Sequence, residues 1–575
     1  MNTQELDQFT TIPRRSPDQV MTLNRLGSLH QCRLSFMRQL TRRMAVENWE
    51  FTRPHFNIDE NGLGYAVYTA SYPGGKASLL AFAHDLPDEL RSDRVIAEQW
   101  DTTFTLFNGV PNDCDIERLK QNVPHQETGR ISETELTLSR ANRSVRLWEH
   151  VVDALAKGNQ PDADQLNEVG YLMRTTAVYG SGKFGAADRE QLSEELGEMS
   201  VFKAPFAVEM LTVYLIRTFV RDLVNHAARC QGGDAAVTLN SNLARGLGIG
   251  NSTGLGMAPF LINHPVLVNN WIMAREEAIA RVRSIESVTL DDIKTVVELL
   301  ERTQLLTTRW RSDHPIQQVK LNELTDDLAR ISDYMASATT SATDSASLQA
   351  DFFWNQLIEW SETNLSIEGQ ECIASLMLEP YGDLVDGLSH CMDDPISHTL
   401  RIDGTQSVSE VSILIENSFG WANDIDWTNK DATARCWYVS VEKLEPRLGE
   451  RYEEPLANYE QPLAPARDAM AALSLMKPMD STTPVAEFLV AHPEHRRTVQ
   501  RAQWHSMAPY SEIRDNTIDA SMLPIDLLRA KLSFFGATRF DPRSDRWVRI
   551  CLYPGAPYPE ELRNDNSDLW IYSNE

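Results

Sequence analysis

The sequence has few cysteines, a deficit of positive charge and no long apolar run free of charged residues. Its seven cysteines, at 32, 114, 230, 372, 391, 436 and 551, are odd in number and form no Cys-x-x-Cys pair. That argues against a disulfide framework and for a reducing, cytoplasmic setting. Lys and Arg total 54 against 82 Asp and Glu, a formal charge of −28. Such a surface repels phosphate backbones and anionic lipid, so neither nucleic acid nor a membrane is expected as a partner. The most apolar stretch, 206–228, carries Glu209, Arg217, Arg221 and Asp222, which a membrane-spanning helix would not hold without paired neighbours. Residues 1–7 show no basic segment leading into an apolar one, so no secretory signal is expected. His-Glu-x-x-His, the phosphate-binding Gly-x-x-x-x-Gly-Lys-Ser/Thr loop and the protein-kinase set are all missing, so a zincin, a P-loop enzyme or a kinase is not expected.

What the sequence does have is glycine in unusual places. Residues 245–259 crowd five glycines, at 246, 248, 250, 254 and 256, around Asn251, Ser252 and Thr253. Glycine permits close backbone approach, so N–H groups there can converge on an oxygen-rich ligand. The same glycines equally suit a crossing of two backbones. A second segment, 174–185, sets Arg174, Tyr179 and Lys183 among glycines 180, 182 and 185. Arg, Tyr and Lys on such a loop suit a carboxylate or phosphate, and a desolvated lysine also suits proton transfer or Schiff-base chemistry. A solvated helix end explains the same residues.

At 575 residues the chain is too long for one core and is expected to divide into two to four domains. The predicted class is α+β and predominantly helical. Residues 1–112 read as an N-terminal helix over 18–46 plus a small antiparallel sheet. Its strands are 65–70, 78–82 and 101–107, the first two joined by a Pro-Gly-Gly turn. Residues 113–335 read as a helical region holding both glycine segments, with helices over 144–156, 164–175, 206–230, 265–284, 290–306 and 317–335. The small, polar, aromatic-free stretch 336–348 reads as a linker or exposed loop. Residues 349–575 read as a mixed α+β region, with helices over 352–364, 465–475, 492–503 and 524–534. Strands are expected at 407–415, 436–441 and 547–552.

The helix 206–230 lies between the two glycine segments and is apolar nearly all round, as a buried helix is. Yet Arg217, Arg221 and Asn225 recur on it at i, i+4 and i+8, with Asp222 and His226 beside them. Polar groups there need partners, either internal carboxylates or an anionic ligand in a cavity. His226 and Cys230 also stand one turn apart, without further ligands at metal-site spacing. The cluster His390, Cys391, Asp393 and His398 is the rival metal site, interrupted by Pro395. No metal is expected, and the sequence names no organic cofactor.

These features predict a soluble cytoplasmic enzyme acting on a small anionic metabolite, a carboxylate or phosphate, by acid–base lyase or isomerase chemistry. Tyr179, Lys183, His226 and His264 are the candidate proton-transfer groups. Arg174, Arg217, Arg221, Asn225, Gly248, Gly250, Asn251, Ser252 and Thr253 are the candidate substrate-binding residues. A homo-oligomer is compatible with this reading. The alternative is a non-catalytic interaction or scaffold protein, whose many aromatics would build an interface.

Overall fold

The computed structural model describes residues 11–28, 30–85, 87, 99–125, 134–176, 201–204, 206–253, 265–310, 315–340, 352–392, 402–424, 436–438, 446–448, 465–514, 524–536, 539–544, 547–563 and 568–572. The chain is α+β and mostly helical, as its periodicity predicts. The sheet is larger than expected. Its strands are β1 (Glu50–Ile58), β2 (Gly64–Tyr72), β3 (Gly75–Ala83), β4 (Thr102–Asn108), β5 (Glu135–Arg143), β6 (Tyr171–Thr175), β7 (Gly248–Thr253), β10 (Arg539–Ser544) and β11 (Trp547–Leu552). A separate short hairpin supplies β8 (Cys436–Tyr438) and β9 (Pro446–Leu448). The spatial order is β1-β2-β3-β4-β5-β6-β7-β11-β10. Every neighbouring pair is antiparallel except β6 and β7.

Three elements depart from the periodicity reading, each for a local reason. Residues 164–175 are not one helix. The helix Ala163–Val169 stops at Gly170, whose φ of 78° ends the turn, and the chain leaves as β6. Residues 18–46 form three helices, Pro17–Val20, Leu23–Leu26 and Phe36–Val46. Residues 407–415 are helical instead of extended. Ser407 and Glu410 form a capping box at the start of Val408–Phe419, a signal stronger than the short alternation that follows.

The helix Ala207–Gly232 spans 26 residues, about 39 Å of axis at the standard rise. It crosses one face of the sheet. Phe219 meets Tyr68 and Phe104 edge-on, at 6.3 and 5.7 Å between ring centres. Each such fully buried large apolar side chain contributes about 1.5–3 kcal/mol. β6, this helix and β7 therefore make a parallel β–α–β crossover inside an otherwise antiparallel sheet.

The main core joins the sheet and this helix to helices Pro265–Arg283, Leu290–Thr307, Phe353–Asn364 and Ile367–Leu376. Trp271 stacks on Phe534 at 4.2 Å between ring centres, tying the middle of the chain to its far end. Residues on both sides of the stretch 336–348, such as Met335 and Trp354, share this one core. Residues 336–340 close the helix Pro315–Thr340, and 341–351 lie outside the described residues. A second, smaller core gathers Val411, Ile415, Ala469, Leu473, Phe488 and Val499 from helices between 408 and 505. Among the described residues, no helix is long and apolar enough to cross a membrane.

Candidate functional site

The site is built where β6 and β7 end. Asp162 caps the helix before β6, and Gly170 O accepts from Gly248 N at 3.0 Å, which sets the parallel strands side by side. Thr175 then stands opposite Asn251. Being parallel, β6 and β7 present their carboxyl ends at the same edge of the sheet. The carboxyl ends of adjacent parallel strands are where open α/β sheets place ligands.

A row of small polar side chains crosses the sheet here. Cross-strand partners share a face, and the register links Leu106 to Thr137, Phe104 to Ser139, Ala141 to Thr175, Thr175 to Asn251 and Asn251 to Ile550. Phe104 packs against Phe219, so this is the face beneath the long helix. Apolar residues would be expected across it. Instead β5, β6 and β7 bring Thr137, Ser139, Thr175 and Asn251, all buried.

The Ser139 and Thr175 hydroxyls lie 2.8 Å apart. Asn251 Nδ2 donates to Thr175 O at 2.9 Å. A carbonyl accepts only from the amide nitrogen, so this bond fixes the orientation of the Asn251 amide. Among the described residues its Oδ1 then has no hydrogen-bond partner, and neither has Thr137 Oγ1. Buried polar atoms are ordinarily paired, and one left open costs about 1–3 kcal/mol. Asn251 therefore offers a buried acceptor to a hydrogen-bond donor that reaches it.

The glycines of β7 have a packing role. A Cβ on Gly248 would stand 2.3 Å from Leu552 O, and one on Gly250 would stand 2.7 Å from the Tyr171 ring. They let β6 and β11 close on β7, instead of forming an anion cradle. Gly250, Ser252 and Gly254 also have the Gly-x-Ser-x-Gly spacing of hydrolase nucleophiles. That nucleophile stands on the turn after its strand. Ser252 is instead still paired with Arg549, and β7 runs on to Thr253. Nothing about the Ser252 and Thr253 side chains lies within the described residues. Arg174 is buried on β6, next to Thr175 and opposite Gly250 and Asn142.

The arginine stripe on the long helix finds its partners inside the fold: carboxylates for Arg221, as one of the two expectations had it, and other groups for Arg217. Arg217 donates to the carbonyls of Leu247, at 2.8 Å, and Arg245, at 2.9 Å. Its guanidinium lies 4.0 Å from the Tyr558 ring centre, and that of Arg221 lies 4.1 Å from it. Arg221 also pairs with Glu560 and Asp222. The expected choice between carboxylates and an anionic ligand is thus corrected for Arg217. Backbone carbonyls and an aromatic face hold it, a geometry suited to a planar, weakly hydrated cation. Asn225 Oδ1 accepts from Leu239 N at 2.8 Å. His226 Nε2 lies 2.9 Å from Asp59 O and 3.5 Å from Cys230 Sγ. Arg217 contacts the start of β7, four residues and about 13 Å before Asn251, and His226 is a further ~13 Å along the helix. The structure therefore separates Arg217, Arg221, Asn225 and His226 from Asn251. Tyr179, Lys183 and His264 lie outside the described residues, as do Asp393 and His398 of the rival metal cluster.

Thr137, Ser139 and Thr175 were not found from the sequence. From the sequence no strand is expected over 135–143 and Thr175 reads as the end of a helix, so only the register shows that these hydroxyls face the long helix. Comparison of the chain with protein-family models, with curated proteins and with solved structures gives no match in any of the three.

Proposed function

We propose that the protein is an enzyme that binds a small anionic metabolite at the carboxyl ends of β6 and β7. The observation that carries this reading is the open Asn251 Oδ1, buried beside Thr175 at the end of the parallel pair. An acceptor there selects a hydroxyl or amino group on the ligand, so a hydroxy- or amino-substituted carboxylate or phosphate fits best.

Tyr179 follows Thr175 by four residues, at most about 14 Å of chain. Lys183 follows on the same segment, and His264 belongs to the segment leaving β7. These side chains supply the cation for the acidic group and the proton transfer of a lyase or isomerase. A reducing, cytoplasmic setting and self-association belong to the same proposal, on composition alone.

The test is a thermal-shift and calorimetric screen of the whole chain against hydroxy acids, amino acids and sugar phosphates. At least one should bind saturably to the native chain and lose that binding in Asn251→Ala. Asn251→Ala removes an open buried amide oxygen but also the bond from Nδ2 to Thr175 O, so its ligand-free unfolding is measured alongside and binding is compared below both midpoints. A variant that binds every hit as tightly as the native chain would remove the strand ends as the site.

A further inference from the structure

The carboxyl-terminal half of the long helix carries a second group of chemically capable atoms, well away from the strand ends. His226 and Cys230 stand one turn apart on it, at i and i+4, so both side chains lie on one face. The turn after β1 reaches the same point. Asp59 O lies 2.9 Å from His226 Nε2, and Cys230 Sγ lies 3.5 Å from the same nitrogen. Phe56, on β1, packs edge-on against the imidazole at 5.5 Å between ring centres. Cys230 is exposed and His226 half-buried, so the group opens to solvent.

These atoms present more lone pairs than protons. Asp59 O is an acceptor only, and Gly62 N, at 3.0 Å, takes one of its two lone pairs. A nitrogen of a neutral imidazole is either a donor or an acceptor. With its proton on Nε2, His226 donates to Asp59 O and offers the thiol no acceptor. With the proton on Nδ1, Nε2 accepts from the thiol, and its lone pair meets that of Asp59 O at 2.9 Å. A cation at the meeting point serves nitrogen, sulfur and oxygen together. The spacing suits zinc. Bonds of about 2.0–2.1 Å to nitrogen and about 2.3 Å to sulfur, at the tetrahedral angle, put those two ligand atoms about 3.5 Å apart. Nε2 and Sγ are separated by 3.5 Å. The corresponding nitrogen–oxygen edge is about 3.4 Å, so Asp59 O, now at 2.9 Å, has to withdraw by about half an ångström. Among the described residues no third His, Cys, Asp or Glu side chain joins the group, which leaves the fourth position to water.

We propose that His226 Nε2, Cys230 Sγ and Asp59 O form a surface site for one zinc ion, with water as the fourth ligand. On binding, the thiol releases its proton to solvent and a sulfur–zinc bond replaces the S–H bond, with no change of oxidation state. The ion fastens the β1–β2 turn, at the edge of the sheet, to the end of the helix that crosses it. The site is independent of the strand ends, which use neither His226 nor Cys230. A carbonyl ligand is invisible to side-chain spacing, so the sequence shows only two of the three donors.

The experiment uses the whole chain without a polyhistidine tag, reduced, stripped with chelator and desalted. Cobalt(II), titrated in as a coloured stand-in for zinc, should give a thiolate-to-cobalt charge-transfer band that saturates at one equivalent and disappears when zinc is added. Cys230→Ser should lose the band, while Cys114→Ser, at the other exposed thiol described, should keep it. His226→Gln should weaken zinc binding at least about 100-fold against a competing indicator, since loss of a group one shell further out already costs about 10–100-fold. In the native chain, zinc should also slow alkylation of Cys230 by iodoacetamide, mapped by mass spectrometry. Absence of the band, a band retained in Cys230→Ser, or zinc binding unchanged in His226→Gln overturns the proposal. Should a variant fail to fold by circular dichroism, the native chain decides by itself: alkylation of Cys230 at an unchanged rate in saturating zinc overturns it.

Discussion

His30 is buried against Trp310 with no hydrogen bond to either ring nitrogen. Burial, the dominant cause, pushes its pKa down to about 4 from the ordinary 6.5. His505 is also lowered to about 4, by burial and then by the Arg514 guanidinium. Arg514 Nη1 donates to its Nε2 at 2.8 Å, which places the ring proton on Nδ1. Both histidines are neutral in the fold, so the unfolded chain takes up protons first as pH falls. Their stabilising contribution is complete above pH 6.5, declines from there to about pH 4, and is worth on the order of 3 kcal/mol each at most. Urea midpoints of His30→Leu should therefore fall less steeply between pH 6.5 and 4.5 than those of the native chain. Parallel declines would show that His30 does not titrate in that window. The carboxylates follow a different rule. Glu371→Gln removes the negative charge shared by the buried guanidiniums of Arg15, Arg25 and Arg275 and should cost about 3–5 kcal/mol. Glu560→Gln, at a carboxylate 57% exposed, should stay within about 1 kcal/mol. Equal losses in the two would refute the contrast between buried and exposed ion pairs.

Strand β7 is an element whose existence depends on its neighbours. Its glycines admit the Leu552 carbonyl on one side and the Tyr171 ring on the other. The two obstacles differ in kind. Gly248→Ala drives a methyl group into backbone, whereas Gly250→Ala meets a side chain that can be replaced. Gly250→Ala should cost about 1–3 kcal/mol, most of it recovered with Tyr171→Leu. The same second change should not rescue Gly248→Ala. Unfolding of the five variants, Tyr171→Leu alone included, gives the coupling, and equal rescue of both glycine positions would contradict the packing described for β7. The helix Val408–Phe419 depends on its own sequence instead. Ser407→Ala removes one half of a capping box, Ser407 Oγ to Glu410 N at 3.2 Å and Glu410 Oε2 to Ser407 N at 2.7 Å. The expected loss is about 0.5–2 kcal/mol. Circular dichroism and unfolding curves that match the native chain would argue against the cap.

The whole molecule is closed by its far end. β11 lies between β7 and β10, so the sheet that starts at Glu50 needs residues beyond 538 to be completed. Three tyrosines fasten this closure to carbonyls. Tyr553 donates to Met210 O at 3.0 Å, Tyr214 to Pro557 O at 2.9 Å and Tyr558 to Ala244 O at 3.1 Å. A chain ended at residue 536 would expose β7 as an unpaired edge and uncover the aromatic cluster around Tyr214 and Tyr553, at 5.4 Å between ring centres. It should be recovered aggregated, as read by sedimentation and size-exclusion chromatography. A soluble monomer with an unchanged unfolding midpoint would refute the claim that the far end completes the core.

By itself the sequence determined the acidic surface, the α+β class and the elements whose signal is local. The helices Ala207–Gly232, Pro265–Arg283 and Leu290–Thr307, and the strands β2, β3, β4 and β11, follow from periodicity and turn residues. It also pointed to Asn251 and to the two segments that leave β6 and β7. Only the tertiary structure decided the rest. β7 has one apolar side chain, Ile249, and so no pattern to read, and it is a strand because β6 and β11 supply its hydrogen bonds and Tyr171 fills the space over Gly250. Arg217 reads as a cation awaiting an anion, yet its partners are carbonyls about thirty residues away, and carbonyls are present at every position of a sequence. Thr137 and Ser139 became candidates only when the register turned them toward the long helix.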